Sequence, residues 1–271
     1  MISVDLNADL GELAGDPGQR IDAGLMAVVT SANVAAGGHA GDHRSMARVC
    51  RLAAAHEVRI GAHLSFVDRV GFGRRVPDRI DARLVRDLRE QLDALEQASV
   101  GTGSVVSYVK AHGALYNLAL DRRDVAEAVI EAIAESGLPI LTMHGSVLHE
   151  TAQRAALPAF AEFFADRGYL PNGRLVPRGM AGDVLQKGIE DRVLQAVITG
   201  SILDSTGQPI DVQVDSVCVH GDTPGAVDHA RRIRARLELA GITLRPFTCA
   251  PASEPAGSRR PPQGTGDGPT P

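Results

Sequence analysis

Tryptophan is absent from this sequence, and aromatic residues make up only 3% of its 271 positions. The core must therefore be packed by valine, isoleucine, leucine and alanine. Cysteine is also scarce: three scattered residues indicate no disulfide framework. No apolar run approaches the roughly 20 residues that a membrane-spanning helix requires, so we predict no such helix.

Positive charge is not in excess either. The net charge of -5 and the isoelectric point near 6.0 provide no basic surface of the kind that binds nucleic acid. The sequence lacks a P-loop of the form GxxxxGK[ST], so this chain alone should not bind ATP in that manner. No basic segment and apolar core precede the first predicted strand, and we expect a cytoplasmic protein.

Strand-like and helix-like segments alternate along the sequence, as they do in parallel α/β proteins. We predict an α/β fold in which about seven parallel strands close into a β/α barrel, resembling glycoside hydrolase and deacetylase barrels. This barrel is one catalytic domain over residues 1–248, and the Pro- and Gly-rich residues 249–271 are predicted to be a disordered tail. The predicted barrel strands are residues 2–8, 32–36, 58–62, 105–109, 140–143, 159–165 and 217–219.

Helix caps and a ribbon complete the predicted layout. Asp42 should cap one helix, and Asp124 with Glu127 has capping-box spacing before another. Thr223 is predicted to cap a last long helix that has Pro224 in its first turn. Residues 208–214 should form a β ribbon outside the main alternation, and residues 242–247 a last short strand.

Five of the nine histidines follow predicted strands. They are His39, His63, His112, His144 and His220. The carboxyl ends of parallel strands meet at one rim, where α/β barrels carry their active sites, so we expect these imidazoles to gather there. The other histidines considered, His56, His149 and His229, fall within helical segments and are predicted to lie on the surface.

The first strand carries an acidic, alternating pattern. Asp5, Asn7 and Asp9 should point to one face, which in a barrel is the interior, and Glu12 follows them. Acids there are costly unless they are paired or used in chemistry. We interpret Asp9 as the leading general base; a capping or solvated acidic cluster remains the alternative.

The glycine-rich stretch from Asn33 to His43 can turn backbone N–H groups toward an anion or a polar substrate. His39 and Asp42 are candidate site residues there, although Asp42 could serve only as a helix cap. His39 and His43 have the i, i+4 spacing of metal ligands, and with Asp9 they resemble the ligand set of metal-dependent polysaccharide deacetylases. The metal interpretation therefore stays open.

Two further segments carry cations and proton-transfer groups. Arg74 and Arg75 could hold a carboxylate or phosphate, or could be ordinary solvated surface. Lys110 ends an apolar run beside His112 and Tyr116, which can transfer protons. Its alternative role is a salt bridge to Asp5 or Asp9 inside the barrel.

The segment around His220 is predicted to bind an anion, because free N–H groups at a helix start favour negative charge. His220 is a candidate acid or base, and Asp222 is predicted to orient it. Thr223 belongs to the same loop. Asp166 and Arg178 should reach the same rim from neighbouring segments, and Asn117 extends the Lys110 motif.

These motifs resemble the LamB/YcsF family. The matching stretches, in chain order, are VDLNADLGE from residue 4, SANVAAGGHAGD from 31, IGAH from 60, GFGRR from 71, VKAHGALYN from 109, FADRGY from 164, LVPRG from 175 and VCVHGDTPGAV from 217. The resemblance spans about residues 1–248. It implies a seven-stranded β/α barrel-like fold and a part in the ATP-dependent opening of 5-oxoproline to L-glutamate, alongside partner subunits B and C.

Some residues depart from the family pattern. The family usually has Cys-Gly-Phe-His where this chain has Ala36-Gly37-Gly38-His39, and His-Pro-Gly where it has His63-Leu64-Ser65. His43 has no counterpart in that pattern. The changes at Ala36, Gly38, Leu64 and Ser65 are predicted to line the pocket, which leaves the substrate open.

The resulting hypothesis is a hydrolase in which Asp9, assisted by His112 or His63, directs water onto the activated ring. The predicted catalytic residues are Asp9, His39, His63, Lys110, His112 and His220. The predicted substrate-binding residues are Asn7, Glu12, Asn33, Asp42, Arg74, Arg75, Tyr116, Asn117, Asp166, Arg178, Asp222 and Thr223. ATP is expected on the partner subunits, and no metal is assigned.

Three alternatives remain. A metal-dependent deacetylase or amidohydrolase would use Asp9, His39 and His43 as ligands. A hydrolase of another lactam would reject 5-oxoproline, and a non-catalytic scaffold would tolerate substitutions at the rim. The sequence leaves self-association into a homo-oligomer open.

Overall fold

Seven parallel strands form a closed barrel in the computed structural model, which describes residues 2–248. The strands in chain order are β1 (Ser3–Leu10), β2 (Ser31–Ala35), β3 (Arg59–Leu64), β4 (Val106–Ala111), β5 (Ile140–Thr142), β6 (Ala159–Phe164), β7 (Ser201–Leu203), β8 (Pro209–Asp211), β9 (Ser216–Val219) and β10 (Thr243–Leu244). Strands β1 to β6 pair in sequence, and β9 joins β6 to β1 and closes the barrel. The predicted fold class is confirmed.

Helices cover the outside of this barrel. They are α1 (Gly15–Met26), α2 (His43–Ala55), α3 (Arg83–Ser99), α4 (Gly113–Ala119), α5 (Arg123–Ile133), α6 (Val147–Arg154), α7 (Ile189–Thr199) and α8 (Ala226–Leu239). In α3, Leu84, Leu88, Leu92 and Leu95 recur at helical spacing and are all buried, so one face of this helix packs against the core. None of the helices within residues 2–248 is long and apolar enough to cross a membrane.

The barrel interior is polar near the middle of β1. Asp5, Asn7 and Asp9 are all buried on the inner face, as their alternation predicted. The Asp5 carboxylate accepts hydrogen bonds from the hydroxyls of Thr30 and Ser31, each at 2.6 Å, and from Ser216. The buried acids are therefore hydrogen-bonded, which offsets much of their desolvation cost.

Two of the three predicted caps are wrong. Asp42 does cap α2, because its carboxylate accepts from the Ser45 amide at 2.7 Å in a capping box. Asp124 instead lies inside α5, which starts without a side-chain cap, and its carboxylate pairs with Arg122. Helix α8 starts after Gly225 at a φ of 80°, since the Thr223 hydroxyl is engaged elsewhere.

The peripheral elements follow the predictions in part. Strands β7 and β8 form the separate antiparallel ribbon, and β10 runs parallel to the start of β1. His56 is exposed as predicted, whereas His149 and His229 are buried, at 5% and 7% exposure, because their helices turn them inward. The predicted tail, residues 249–271, lies outside the described residues.

Candidate active site

A cavity of about 540 Å³ opens at the carboxyl ends of the barrel strands. Its wall includes many of the predicted site residues, contributed by segments that are distant in the chain. They are Asp9, His63, Arg74, Lys110, His112, Tyr116, Asn117, Arg178 and His220. The predicted convergence of distant segments at one rim is therefore present, at the face where barrel enzymes carry their active sites.

Asp9 lies at the end of β1 and is 4% exposed. Its Oδ1 accepts from Lys110 Nζ at 3.0 Å and from Asn33 Nδ2 at 2.8 Å, and its Oδ2 lies 3.4 Å from His63 Nε2. Burial would raise the pKa of Asp9, but the charges of His63 and Lys110 hold it well below its usual range. The carboxylate is thus ionised at neutral pH.

Lys110 sits between two buried carboxylates inside the barrel. Its Nζ lies 2.7 Å from Glu162 Oε1, 3.0 Å from Asp9 Oδ1 and 3.1 Å from Cys218 Sγ. Burial would lower the pKa of Lys110, but Asp9, Cys218 and Glu162 raise it well above its usual value. The ammonium is therefore a fixed positive charge.

Glu162 was missed by the sequence analysis. Its signal was present, because Glu162 is the one charged residue within the apolar strand AFAEFFA, residues 159–165. Such an acid is buried by its neighbours and requires a partner. The salt bridge predicted for Lys110 inside the barrel exists with Asp9, and Glu162 is its second partner.

Three histidines and Glu12 form a compact cluster beside Asp9, within 4.8 Å of one another at their donor atoms. Glu12 Oε1 lies 3.0 Å from His39 Nε2, 3.6 Å from His63 Nε2 and 3.5 Å from His112 Nδ1. The rings of His39 and His112 stack with their centroids 3.7 Å apart. These four residues could hold a metal ion.

Burial controls the protonation of this cluster. It lowers the pKa of His39 to about 4 and that of His112 well below its usual value. Burial, together with the charge of Asp9, raises the pKa of Glu12 to about 8. His39 and His112 are therefore neutral near pH 7 and present lone pairs, while Glu12 has a strong affinity for a proton or another cation.

His220 lies on the same side as Asp9, within 4.8 Å at their ligand atoms, and pairs with Asp166. Asp166 accepts from His220 Nδ1 and from Thr223 Oγ1, both at 2.8 Å. Burial would lower the pKa of His220, but Asp166 raises it. Asp222, which was predicted to orient His220, instead binds Arg74 at 2.5 Å, and Asp166 takes the orienting position.

The two predicted arginines separate. Arg74 lines the cavity, whereas Arg75 is exposed, does not line it, and engages Asp68 through its backbone amide. The paired clamp is therefore not formed. Arg178 and the exposed Asn117 also line the cavity, and burial raises the pKa of Tyr116, so its hydroxyl stays protonated.

Other predicted residues do not join the cavity wall. His144 is exposed after β5 and packs against His149, with ring centroids 4.9 Å apart. Asp42 and His43 are exposed at the start of α2, where Asp42 serves as the cap. The proposed ligand set of Asp9, His39 and His43 is therefore wrong, because His43 points to solvent.

Asn7 and Asn33 lie beneath the cavity rather than in its wall. Asn33 Nδ2 donates to Asn7 Oδ1 at 2.7 Å and to Asp9, and Asn33 Oδ1 accepts from the Tyr108 hydroxyl at 2.7 Å. These amides fix the carboxylate of Asp9 from below. Their contacts are those of positioning residues rather than of groups that meet a substrate.

The residues that depart from the family pattern also lie behind the wall. Ala36, Leu64 and Ser65 are buried, and none of them or Gly38 lines the cavity. Ser65 accepts from His39 Nδ1 at 3.0 Å. The prediction that these changes line the pocket is wrong, because they pack in the layer that supports His39.

The arrangement combines groups suited to hydrolysis. An ionised carboxylate, a fixed ammonium and an imidazole with a raised pKa border one cavity, and four arginines line it as well. A base, a cation and an acid so placed can activate water, stabilise developing negative charge and protonate a leaving group.

Comparison with known proteins agrees along the whole barrel. The model of the LamB/YcsF family matches residues 4–252. The chain is 46% identical over 248 residues to the 5-oxoprolinase A subunit of Streptomyces avermitilis, covering 90% of this chain and 99% of that protein. It is 47% identical over 251 residues to the protein of the same name from Mycolicibacterium paratuberculosis, with coverages of 91% and 100%.

A solved structure shows the same fold. The lactam utilization protein from Thermus thermophilus superposes with a TM-score of 0.82 at 36% identity, covering 90% of this chain and 99% of that one. Sequence and structure thus agree with the resemblance carried by the motifs, and the chain belongs to the LamB/YcsF family.

Proposed function

We propose that this chain is the A subunit of a 5-oxoprolinase and acts in the ATP-dependent hydrolysis of 5-oxo-L-proline to L-glutamate together with subunits B and C. The observation that carries the proposal is the cavity whose wall holds Asp9, Lys110 and His220 together with four arginines. The names of the relatives, which match over nearly their whole length, support the same activity.

The chemical difficulty lies in the five-membered lactam. Its carbonyl is a poor electrophile because amide resonance must be broken and because the leaving amine is basic. Phosphorylation of the amide oxygen removes that resonance. Since this sequence lacks a P-loop, the partner subunits use ATP and pass the activated ring to this cavity.

Within the cavity, Asp9 accepts a proton from the water that attacks the former carbonyl carbon. Lys110, held by Asp9 and Glu162, offsets negative charge that develops on the phosphorylated oxygen. Ring opening breaks the bond between carbon and nitrogen, so the nitrogen must receive a proton. His220 supplies it, because the charge of Asp166 favours the imidazolium form. The ring-opened product is an acyl phosphate, and attack by a second water releases inorganic phosphate and leaves L-glutamate.

The negative charge of the substrate is complementary to the arginines that line the cavity. The activated ring carries a carboxylate and a phosphate, and Arg74, Arg167, Arg174 and Arg178 all line the cavity. Arg74 is bound to Asp222, and Arg174 to Asp121 at 2.8 Å. Arg178 has no hydrogen bond or ion pair within residues 2–248, so it is the arginine available to hold an anion.

Reconstitution tests this function. The purified chain is combined with candidate B and C subunits and ATP, and glutamate release from 5-oxoproline is followed with and without it. Asp9→Asn and Lys110→Met should each lower turnover by about 10²–10⁴-fold, the range for a positioned acid–base group or an electrostatic donor. Arg75→Ala is the matched control, since Arg75 does not line the cavity.

Two results would refute the proposal. The first is glutamate release at an equal rate without this chain. The second is near wild-type turnover in the Asp9 or Lys110 variants while the folded fraction, measured by circular dichroism, is unchanged. Activity on a different lactam with none on 5-oxoproline would keep the hydrolase and replace the substrate.

A further inference from the structure

In the cluster formed by Glu12, His39, His63 and His112, one carboxylate oxygen and three imidazole nitrogens lie very close together. Most of these atoms can only accept hydrogen bonds. Four of their six separations lie between 3.0 and 3.6 Å: those from Glu12 Oε1 to the three histidines, and that between His112 Nδ1 and His63 Nε2. For His39 and His112, the hydrogen-bond partners on the outer side of the rings determine which nitrogens carry hydrogen.

His39 is fixed by Ser65. The Ser65 hydroxyl donates to the Phe66 carbonyl at 2.9 Å, so toward His39 it can only accept. His39 Nδ1 therefore carries the hydrogen, and His39 Nε2 presents a lone pair to Glu12 Oε1 at 3.0 Å. Two acceptors at this distance require a cation or a proton between them.

His112 is fixed in the same way by a backbone carbonyl. Its Nε2 lies 2.9 Å from the Phe72 oxygen, which can only accept, so Nε2 carries the hydrogen. The lone pair on Nδ1 then points at His63 Nε2, 3.0 Å away, and at Glu12. Outer acceptors that orient imidazole lone pairs inward are the usual second layer of a metal site.

We propose that Glu12, His39, His63 and His112 bind a divalent transition-metal ion of the Zn²⁺ class. Ligands at about 2.0–2.1 Å from a tetrahedral Zn²⁺ ion lie about 3.4 Å from one another, which is close to the four short separations. The four ligands follow or end the first four barrel strands, so the ion links those strand ends. Four protein ligands close the coordination sphere, as in structural sites.

A second group of potential ligands, Asp9, Cys218 and His220, is close enough to be considered. The Lys110 ammonium already lies 3.0 Å from Asp9 Oδ1 and 3.1 Å from Cys218 Sγ. A divalent ion there would meet that positive charge at contact distance, so this group is excluded. Among the described residues, no lysine or arginine forms a hydrogen bond or ion pair with the cluster of Glu12, His39, His63 and His112.

The test uses the full-length chain alone, without partner subunits or ATP. The protein is stripped with a chelator, and ZnCl₂ is titrated by calorimetry while bound metal is measured by mass spectrometry. We expect one Zn²⁺ per chain with a dissociation constant below about 1 μM, and a thermal unfolding midpoint that rises with free Zn²⁺.

The variants separate the ligands from their surroundings. Glu12→Gln and His39→Gln should weaken Zn²⁺ binding by at least about 100-fold, and Ser65→Ala, which removes the orienting acceptor, by about 10–100-fold. His43→Ala, an exposed histidine of the same segment, is the matched control and should bind as the wild type does.

Less than one tenth of an equivalent of bound Zn²⁺ would overturn the proposal and leave a shared proton as the link between Glu12 and His39. Binding that survives both Glu12→Gln and His39→Gln, or that is lost in His43→Ala, would also overturn it. Because the readout is metal bound to the isolated chain, failure here is distinct from failure of glutamate release in the reconstituted system.

Discussion

Replacing Asp166 with asparagine tests the acid assigned to ring opening. Asp166 is fully buried, and its two oxygens accept from His220 and Thr223 at 2.8 Å each. Asparagine keeps the size of the side chain and removes its charge. The variant therefore isolates the electrostatic effect of Asp166 on folding and on the protonation of His220.

The effect on folding follows from the pKa of Asp166. Burial would raise that pKa, but His220 and Thr223 lower it from 3.8 to about 2. Lowering the pKa from 3.8 to about 2 corresponds to roughly 2–3 kcal/mol of stability. Since the folded pKa is lowered, this stability is fully present above pH 3.8 and is lost as the pH falls through about 2.

Urea unfolding at pH 7 should therefore show Asp166→Asn to be less stable than the wild type by roughly 2–3 kcal/mol. In the reconstituted assay, the pKa of His220 should fall once Asp166 loses its charge. A general acid must be protonated, so the alkaline limb of turnover should move to lower pH. Thr223→Val removes only a neutral donor and should leave that limb in place.

An alkaline limb that is identical in wild type and Asp166→Asn, measured on fully folded protein, would remove His220 from the proton-donating step. A folded variant with unchanged stability at pH 7 would show that the Asp166 charge is compensated elsewhere. Either result would contradict the pairing on which both effects depend.

Three other perturbations have defined outcomes. Lys110→Met leaves the carboxylates of Asp9 and Glu162 without their shared cation, so it should lower the free energy of unfolding, measured in urea, by about 3–5 kcal/mol. Glu162→Gln leaves the pair of Lys110 and Asp9 intact and should lower it much less in the same experiment. Asp5 has a pKa raised to about 6, chiefly by burial, so wild type should lose about 3 kcal/mol relative to Asp5→Asn as the pH rises from 3.8 to 6, and equal slopes would contradict this. Arg178→Ala should raise KM about 10-fold and change kcat little, since it removes one charge-assisted contact to an anion; an unchanged KM would exclude that contact.

The fold could be predicted because its signals are local. Apolar runs separated by amphipathic segments predicted all seven barrel strands, and the predicted ends lie within about two residues of the observed ones. A difference of this size is ordinary for the ends of secondary-structure elements. The inner position of Asp5, Asn7 and Asp9 followed from a period of two, and the Asp42 cap from its place before an amphipathic helix. Each of these inferences needs only neighbours in the chain.

The pairings across the cavity could not be predicted in the same way. His220 was expected to bind Asp222, two residues away, but its partner is Asp166, 54 residues distant on the loop after β6. His144 ends an apolar run like the other rim histidines, yet strand β5 is only three residues long and leaves it exposed. Chain distance carries no information about which loops meet above a barrel.

Two of the departures from the family pattern, Gly38 and Ser65, are linked by their packing. A Cβ atom on Gly38 would lie 2.4 Å from both Ser65 Oγ and Gln91 Oε1, so no larger residue fits there while Ser65 is present. The family pattern has Phe at the position of Gly38 and Gly at the position of Ser65, so the larger side chain of the two is at the other position. Ser65 in turn supplies the acceptor that fixes His39. Neither Gly38 nor Ser65 lines the cavity, so this exchange provides no reason to propose a substrate different from that named for the relatives.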